Sequence, residues 1–159
     1  MPKVLHHSLL EEYPVITARA VNWRDIDPAM HVGNTKYMEW AEMGRIDYFQ
    51  HYALLTSDRN PQGIGPVIAS IKCRYLAPLN FPDEVLIGTR MIDIGHYLYV
   101  LEGCVVSKKQ NKVAALAKAR MVLFDFAKNE KVALPLNFKE KVAHFEAESL
   151  NTRNLSLKE

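Results

Sequence analysis

The sequence predicts an α+β domain in which one long helix covers a five- to six-stranded antiparallel β-sheet. Three observations predict this class. Large apolar side chains recur at helical spacing over residues 35–51, and four long strand-like segments follow. The breaks between those strands are too short to hold crossover helices. Because the helix and the sheet both carry large apolar side chains, we expect them to bury these against each other.

The first strand is predicted over Tyr13–Trp23, where β-branched residues alternate loosely with smaller ones. The segment RDIDPAMHVGN comes next, and its Asp-Pro and Gly-Asn pairs predict a loop. Large apolar side chains then recur at helical spacing, which predicts a helix over Thr35–His51. Asn34 is the expected N-cap of this helix, because its short side chain can accept a hydrogen bond from a first-turn amide.

The second half of the chain is mostly strand-like. Turn-forming residues over Ala53–Gly65 predict a surface loop before it. Because the later breaks are short, we expect consecutive strands to pair as a meander or as neighbouring hairpins. A last helix is predicted over Phe138–Glu148, followed by a frayed tail. The four predicted strands are Val67–Leu76, Val85–Ile94, Tyr97–Ser107 and Val113–Phe126.

Length and charge narrow the possible functions. The chain has 159 residues, which predicts one domain, and a formal net charge of only +2, which argues against nucleic acid as a partner. It contains no run of about 18 apolar residues and no secretion signal, so we expect no membrane insertion and a cytoplasmic location. Cys73 and Cys104 lie in apolar runs, which predicts buried free thiols without a chemical role.

The predicted sheet is apolar on both faces. The strand over Tyr97–Ser107 reads YLYVLEGCVVS, with apolar residues at both alternating sets of positions. The helix covers only one face, so the other face needs a second partner, and self-association is the simplest source. We therefore expect a homodimer or homotetramer whose active site includes residues from two subunits.

Titratable and polar side chains cluster in the first loop and at the start of the long helix. A helix N-terminus offers unpaired amides and a partial positive charge, so it can polarise a carbonyl group. A carboxylate beside it can act on that carbonyl as a nucleophile or as a general base for water. The same residue types also cap helices and form turns, so spacing alone leaves both interpretations open. The cluster comprises Asp25, Asp27, His31, Asn34 and Tyr37.

This loop and helix resemble the N-terminal signature of the hotdog-fold acyl-CoA thioesterases of the 4-hydroxybenzoyl-CoA thioesterase family, D-x-D-x-x-G-H-V-x-N-x-x-Y followed by E-x-x-R. This chain reads VNWRDIDPAMHVGNTKYMEWAEMGRIDYF there. The later segments ASIKCRYLAPLNFPDEV and VLFDFAKNEKVALP are also similar to the family, so the resemblance covers about residues 13–135. The matching positions are Asp25, Asp27, His31, Val32, Asn34, Tyr37, Glu42 and Arg45.

The resemblance implies a single hotdog domain over residues 1–159, with the sheet wrapped around a central helix and a C-terminal helix and tail over 136–159. Carried over by position, Asp27 is the catalytic carboxylate and the backbone amide of Asn34 binds the thioester oxygen. His31, Gly33 and Tyr37 are the expected substrate-binding residues. A structural hydrogen bond for His31 and a packing role for Tyr37 are the alternatives. No metal and no cofactor is implied, apart from coenzyme A as part of the substrate.

Departures from the family pattern occur around the predicted site. Met30 stands where the family usually has glycine, which predicts that the loop avoids positive φ and runs differently. Gly33 replaces a frequent asparagine, and Pro82 replaces a glycine before the acidic residue. We expect these departures to affect which acyl group the site accepts more than they affect the fold.

Two charged sets have ambiguous roles. Glu42 and Arg45, three residues apart on the helix, predict a surface ion pair or an interface contact. The turn KKQNK offers basic side chains for the phosphates of coenzyme A, although such a turn is often only a solvated hairpin tip. Its candidates are Lys108, Lys109 and Lys112.

Three functions agree with the sequence. The first is an acyl-CoA thioesterase that releases a free acid and coenzyme A. The second is a hotdog protein that binds acyl-CoA or an acyl carrier without turnover. The third is a thioesterase that acts on an acyl carrier protein and differs from the first only in its thiol partner. Retention of Asp27 beside a helix N-terminus favours an enzyme.

Overall fold

The structure, a computed structural model, describes residues 4–51 and 63–158. Its long helices are α1 (Asn34–His51) and α2 (Phe138–Ser156), and short 3-10 helices cover Ser8–Leu10 and Trp23–Asp25. The described strands are β1 (Val15–Ala20), β2 (Ile64–Tyr75), β3 (Glu84–Ile94), β4 (Leu98–Ser107), β5 (Lys112–Asp125) and β6 (Glu130–Val132).

The described strands form one antiparallel sheet in the order β1-β3-β4-β5-β2, and β6 pairs with the end of β5. Helix α1 packs across this sheet, so the predicted α+β class and the helix over the sheet are confirmed. Hairpins join β3 to β4 and β4 to β5, as the short breaks predicted. Strand β6 was not predicted from the sequence.

The prediction that all consecutive strands pair is wrong for β2 and β3. Strand β2 pairs with β5, so two strands separate it from β3. The eight residues 76–83 that connect them can span about 26 Å when extended, whereas three strand spacings cover only about 14 Å. A connection too short for a crossover helix is therefore still long enough to run along the end of the sheet.

Several predicted boundaries also shift. The first strand is shorter than predicted, because Tyr13 and Pro14 precede it and Trp23 begins a 3-10 helix. Of the predicted loop over residues 53–65, residues 53–62 lie outside the described residues, and Ile64 and Gly65 belong to β2. Helix α1 begins one residue earlier than predicted, at Asn34.

The core lies between α1 and the inner face of the sheet. Trp40 and Tyr48 of α1 are almost completely buried there. Gly44 allows close contact, because a Cβ at this position would come within 2.5 Å of the Thr89 hydroxyl and 2.9 Å of an Ile87 methyl group. The absence of a side chain at residue 44 therefore lets the middle of α1 lie close to β3.

The outer face of the sheet is partly covered by the chain itself. Leu10 and Tyr13 of the N-terminal segment pack on Leu86, Cys104 and Val106. The apolar character of this part of the outer face therefore has an intramolecular explanation. This part of the face therefore needs no second subunit to cover it.

Helix α2 is longer than predicted, and the residues after Glu148 are helical rather than frayed. The buried Arg153 explains this extension, because its guanidinium donates to the backbone carbonyls of Leu10, Glu11 and Tyr13. These bonds join the last turns of α2 to the N-terminal segment. No helix among the described residues is long and apolar enough to cross a bilayer.

Candidate active site

A short backbone ladder shapes the loop before α1. The Asp27 amide donates to the His31 carbonyl over 2.8 Å, and the Gly33 amide donates to the Asp25 carbonyl over 3.0 Å. The Val32 amide donates to Leu79 in the segment between β2 and β3 over 2.9 Å. The loop is thus fixed both to itself and to the end of the sheet.

Met30 lies in the left-handed region, with φ of 67°. The prediction that methionine would keep the loop out of positive φ is wrong. The Met30 amide donates back to the Asp27 carbonyl over 2.9 Å, and a left-handed residue directly after this turn lets the Asp27 amide reach the His31 carbonyl. A residue with a Cβ is held there at a conformational cost of about 1 kcal/mol.

The Asp27 carboxylate is half-buried, and only one of its oxygens is occupied. Oδ1 accepts from the Ala29 amide over 2.8 Å, whereas no described group donates to Oδ2. A Cβ added at Gly33 would come within 4.0 Å of Oδ2. The absence of a side chain at residue 33 therefore leaves space beside the unoccupied oxygen.

The N-terminus of α1 meets this space. The Lys36 amide donates to the Gly33 carbonyl, so Gly33 accepts the first helical hydrogen bond and Asn34 is the first helical residue rather than the cap. The amides of Asn34 and Thr35 meet no acceptor in the described part of the chain. These amides and the helix dipole can stabilise negative charge on an oxygen.

A cavity of about 440 Å³ collects these groups. Tyr37 and Tyr75 form one wall, with their rings at right angles and 5.2 Å between centroids. Burial raises the pKa of both phenols, so they stay protonated at neutral pH and serve as hydrogen-bond donors. The cavity is lined by Asp27, Ala29, His31, Val32, Asn34, Tyr37, Tyr75, Leu76, Ala77 and Pro78.

A comparison with known protein families shows the family of this chain. The model of the thioesterase-like superfamily matches residues 21–145, more than half of the chain. The chain belongs to this superfamily. It is accordingly a thioester hydrolase with the hotdog fold, as the sequence predicted.

Solved thioesterase structures share the fold. One from Thermus thermophilus, in complex with coenzyme A and zinc, is 28% identical with a TM-score of 0.72 and covers 86% of this chain and 98% of its own. A DHNA-CoA thioesterase from Staphylococcus aureus is 17% identical, with a TM-score of 0.69 and coverage of 89% and 93%. A 1,4-dihydroxy-2-naphthoyl-CoA thioesterase from Synechocystis is 13% identical, with a TM-score of 0.70 and coverage of 81% and 95%. No curated protein matches the sequence.

Within this thioesterase, the structure brings together the predicted Asp27, His31, Asn34 and Tyr37 around one cavity, with Gly33 beside the Asp27 carboxylate. The His31 ring is exposed and makes no hydrogen bond with a described residue, so its predicted structural bond is absent there. Tyr37 is 4% exposed and contacts Trp40, so it packs and lines the cavity at once.

The sequence reasoning missed the wall formed by Tyr75 and residues 76–78. Tyr75 donates from its hydroxyl to the Asn34 carbonyl over 3.1 Å and thereby joins the end of β2 to the start of α1. The only local signal was the Y-x-x-P pattern of YLAP, which indicated a strand end but no contact with the loop. The pairing of β2 with β5 and the hydrogen bonds from Tyr75 to Asn34 and from Val32 to Leu79 bring this wall to the loop that carries the carboxylate.

The ambiguous charged residues of the thioesterase are also placed. Glu42 and Arg45 do not form the predicted ion pair, and both line a separate groove of about 620 Å³ between α1 and β2. Lys108 pairs with Glu84 over 2.7 Å. Gln110 of the same turn donates to the Pro78 carbonyl, which places this turn behind the cavity wall. The role of the three lysines toward coenzyme A stays a prediction.

The described residues contain no group of three or more His, Cys, Asp or Glu side chains suited to hold a metal ion. Cys73 and Cys104 are free thiols, and Cys104 is buried as predicted, whereas Cys73 is only half-buried. Burial raises the pKa of both. Because the thiolate is the reactive form of cysteine, the reactivity of both residues is suppressed at neutral pH.

Proposed function

We propose that this protein hydrolyses acyl-CoA thioesters with Asp27 as the catalytic carboxylate and the Asn34 amide as the donor to the carbonyl oxygen. One observation carries the proposal. Oδ2 of Asp27, to which no described group donates, and the first amides of α1, which meet no described acceptor, border the same cavity. A base or nucleophile and an electrophilic donor are the two groups that thioester hydrolysis requires.

The reaction follows from these groups. The thioester carbonyl oxygen lies at the helix N-terminus, where amides stabilise the charge that develops as its carbon becomes tetrahedral. Asp27 removes a proton from water that attacks this carbon, or attacks it directly to form an anhydride that water then opens. Collapse breaks the C–S bond, and the thiolate leaves and takes up a proton. The net reaction consumes one water and releases one acid and one thiol.

Coenzyme A is the thiol we infer first. The superfamily match and the Thermus thermophilus structure with bound coenzyme A support this assignment. The cavity of about 440 Å³ is of the size that accommodates a small acyl group and the end of a thiol arm. The free thiols fit a reducing compartment, so we place the protein in the cytoplasm.

We also propose that the protein is a homodimer formed along β2. This strand has twelve residues and pairs with β5 on one side only, so one long edge of the sheet has no described partner. Ile64 and Ile68 on it are 51% and 44% exposed, and the apolar groove that contains Arg45 lies beside them. A long exposed edge strand next to an apolar groove favours pairing with a second copy.

The test of the activity is thiol release from a panel of acyl-CoAs that covers aromatic and aliphatic acyl groups of increasing length. We expect turnover of at least one substrate above the uncatalysed rate. Saturable binding of acyl-CoA without release of thiol from any member of the panel would instead support a binding protein.

A further inference from the structure

The outer face of β2 and β5 carries four basic side chains, Lys72 and Arg74 on β2 and Lys118 and Arg120 on β5. We call this set the basic sheet face. All four side chains are exposed. They alternate along their strands with residues that face α1, such as Cys73 and the buried Ala117 and Ala119, so they share the face opposite to the helix.

These charges are close together and uncompensated. Lys72 lies directly opposite Lys118 in the ladder, and none of the four side chains forms an ion pair with a described residue. Glu102 faces Lys118 from β4, but it is nearly buried and already accepts from Tyr13 and Arg90. Like charges directly opposite one another destabilise a sheet. Fold stability alone therefore gives no reason for this arrangement.

The shape of the basic sheet face favours a macromolecule. It lies on the surface of a sheet and contributes to none of the cavities described above, whereas small ligands bind in concave sites. The half-buried Leu116 and Val122 flank Lys118 and Arg120 on the same side of β5, which mixes apolar and basic contact. A second copy placed by a two-fold axis would bring four cations against four cations. The complementary partner is an acidic protein.

The basic sheet face ends beside the active-site cavity. Arg74 is two residues before Leu76, which lines the cavity, and an extended strand covers that separation in about 7 Å. A partner on this face would therefore stand at the end of β2 without covering its free edge. A flexible thioester arm could reach Asp27 over Leu76.

We propose that the basic sheet face docks an acidic acyl carrier protein, whose thioester arm enters the cavity over the end of β2. This inference rests on the proposed function and adds a second class of thiol carrier to it. Charge complementarity selects the partner, and the position of Arg74 next to the cavity wall directs its arm toward Asp27.

The test compares one acyl group on two carriers. Hydrolysis of an acyl carrier protein thioester and of the matching acyl-CoA is measured for the wild type and for the double variant Lys72→Gln, Lys118→Gln. We expect the ratio of kcat/KM for the carrier protein to that for acyl-CoA to fall about tenfold in the variant. In the wild type the same ratio should also fall as salt is raised. The exposed Lys141 of α2 provides a matched control, Lys141→Gln, for which the ratio should stay at the wild-type value.

An unchanged ratio in the double variant would overturn the docking proposal, whether both substrates are affected equally or not at all. Docking is also measured without turnover, by fluorescence anisotropy of labelled holo carrier protein with Asp27→Asn protein. Binding there that the double variant weakens supports docking even if no thioester is hydrolysed. If a single-stranded RNA oligonucleotide binds as tightly as the holo carrier protein, the face is a general surface for polyanions, which would contradict the proposal.

Discussion

The hydroxyl of Tyr75 donates a hydrogen bond to the backbone carbonyl of Asn34 over 3.1 Å. Tyr75 ends β2 and Asn34 begins α1, so this bond joins the far edge of the sheet to the helix N-terminus that borders the cavity. The ring of Tyr75 also meets that of Tyr37 edge to face. The position of the Asn34 amide relative to Asp27 therefore depends on a strand that is distant in sequence.

Replacing Tyr75 with phenylalanine should lower catalysis more than stability. The ring contact with Tyr37 remains, and the loss of one hydrogen bond costs about 1 kcal/mol of unfolding free energy. We expect kcat for acyl-CoA to fall several-fold with little change in KM, because the donor at the helix N-terminus is less well placed. Steady-state kinetics and thermal unfolding measure both effects. Tyr97→Phe, at another exposed tyrosine, is the control, and equal kcat losses in the two variants would contradict a positioning role.

Asp27→Asn should abolish most turnover while binding survives. The amide oxygen can still accept from Ala29, so the loop is kept, but the basicity and charge of Oδ2 are lost. Loss of a general base costs about 10² to 10⁴ in rate. The measurement is kcat/KM on folded protein, with acyl-CoA binding followed by calorimetry.

Asp25→Asn is the matched control for Asp27. Asp25 accepts from the Asn22 amide and lies 3.5 Å from the Lys36 ammonium, and it is not among the residues that line the cavity. We expect its replacement to change turnover far less. Wild-type turnover in Asp27→Asn would refute the mechanism.

Met30→Gly should stabilise the protein. Glycine adopts the left-handed conformation of residue 30 without a Cβ penalty, which offsets its larger entropy in the unfolded chain. We expect a gain of up to about 1 kcal/mol in the free energy of unfolding. Met30→Val should have the opposite effect, since β-branched residues tolerate positive φ poorly. Urea unfolding of the wild type, Met30→Gly and Met30→Val measures the three free energies of unfolding. A glycine variant less stable than the wild type would be inconsistent with strain at Met30.

Cys104 should resist alkylation in the folded protein. Burial raises the pKa of its thiol to about 11 from an ordinary value of 9.0, so the thiol stays protonated at neutral pH. Because the folded state holds this proton more tightly, the associated stability is complete below about pH 9 and is lost as the pH rises toward 11. Mass spectrometry after iodoacetamide treatment at pH 8 measures labelling.

Loss of turnover in a folded Cys73→Ser, Cys104→Ala variant would show that the thiols have a chemical role after all.

Sedimentation should report a dimer at micromolar concentration. Ile68→Lys places a charge on the free edge of the sheet and in the groove beside α1, so it should shift the protein toward the monomer of 18.2 kDa. Leu155→Lys adds the same charge at an exposed leucine of α2 and should leave the dimer intact. A wild-type monomer would disprove pairing along β2.

Patterns along the chain were enough to predict the local structure around the site. The helical spacing of large apolar side chains over residues 35–51 predicted α1 to within one residue, because the helix face that packs on the sheet must be apolar. The Asp-Pro and Gly-Asn pairs placed the loop directly before it, and the resemblance of that loop to a known family predicts Asp27 and Asn34 as site residues. These features depend on neighbours in the chain, so the chain alone reveals them.

Which distant segments meet could not be predicted from the chain and follows from the folded sheet. The alternation of residues in β2 shows that Lys72 and Arg74 share a face, but not that Lys118 lies opposite Lys72. The same ladder of backbone hydrogen bonds can join any two strands, so pairing is chosen by the packing of the whole sheet. For the same reason Tyr75 could not be assigned to the cavity from the sequence, nor Arg153 to the carbonyls of the N-terminal segment.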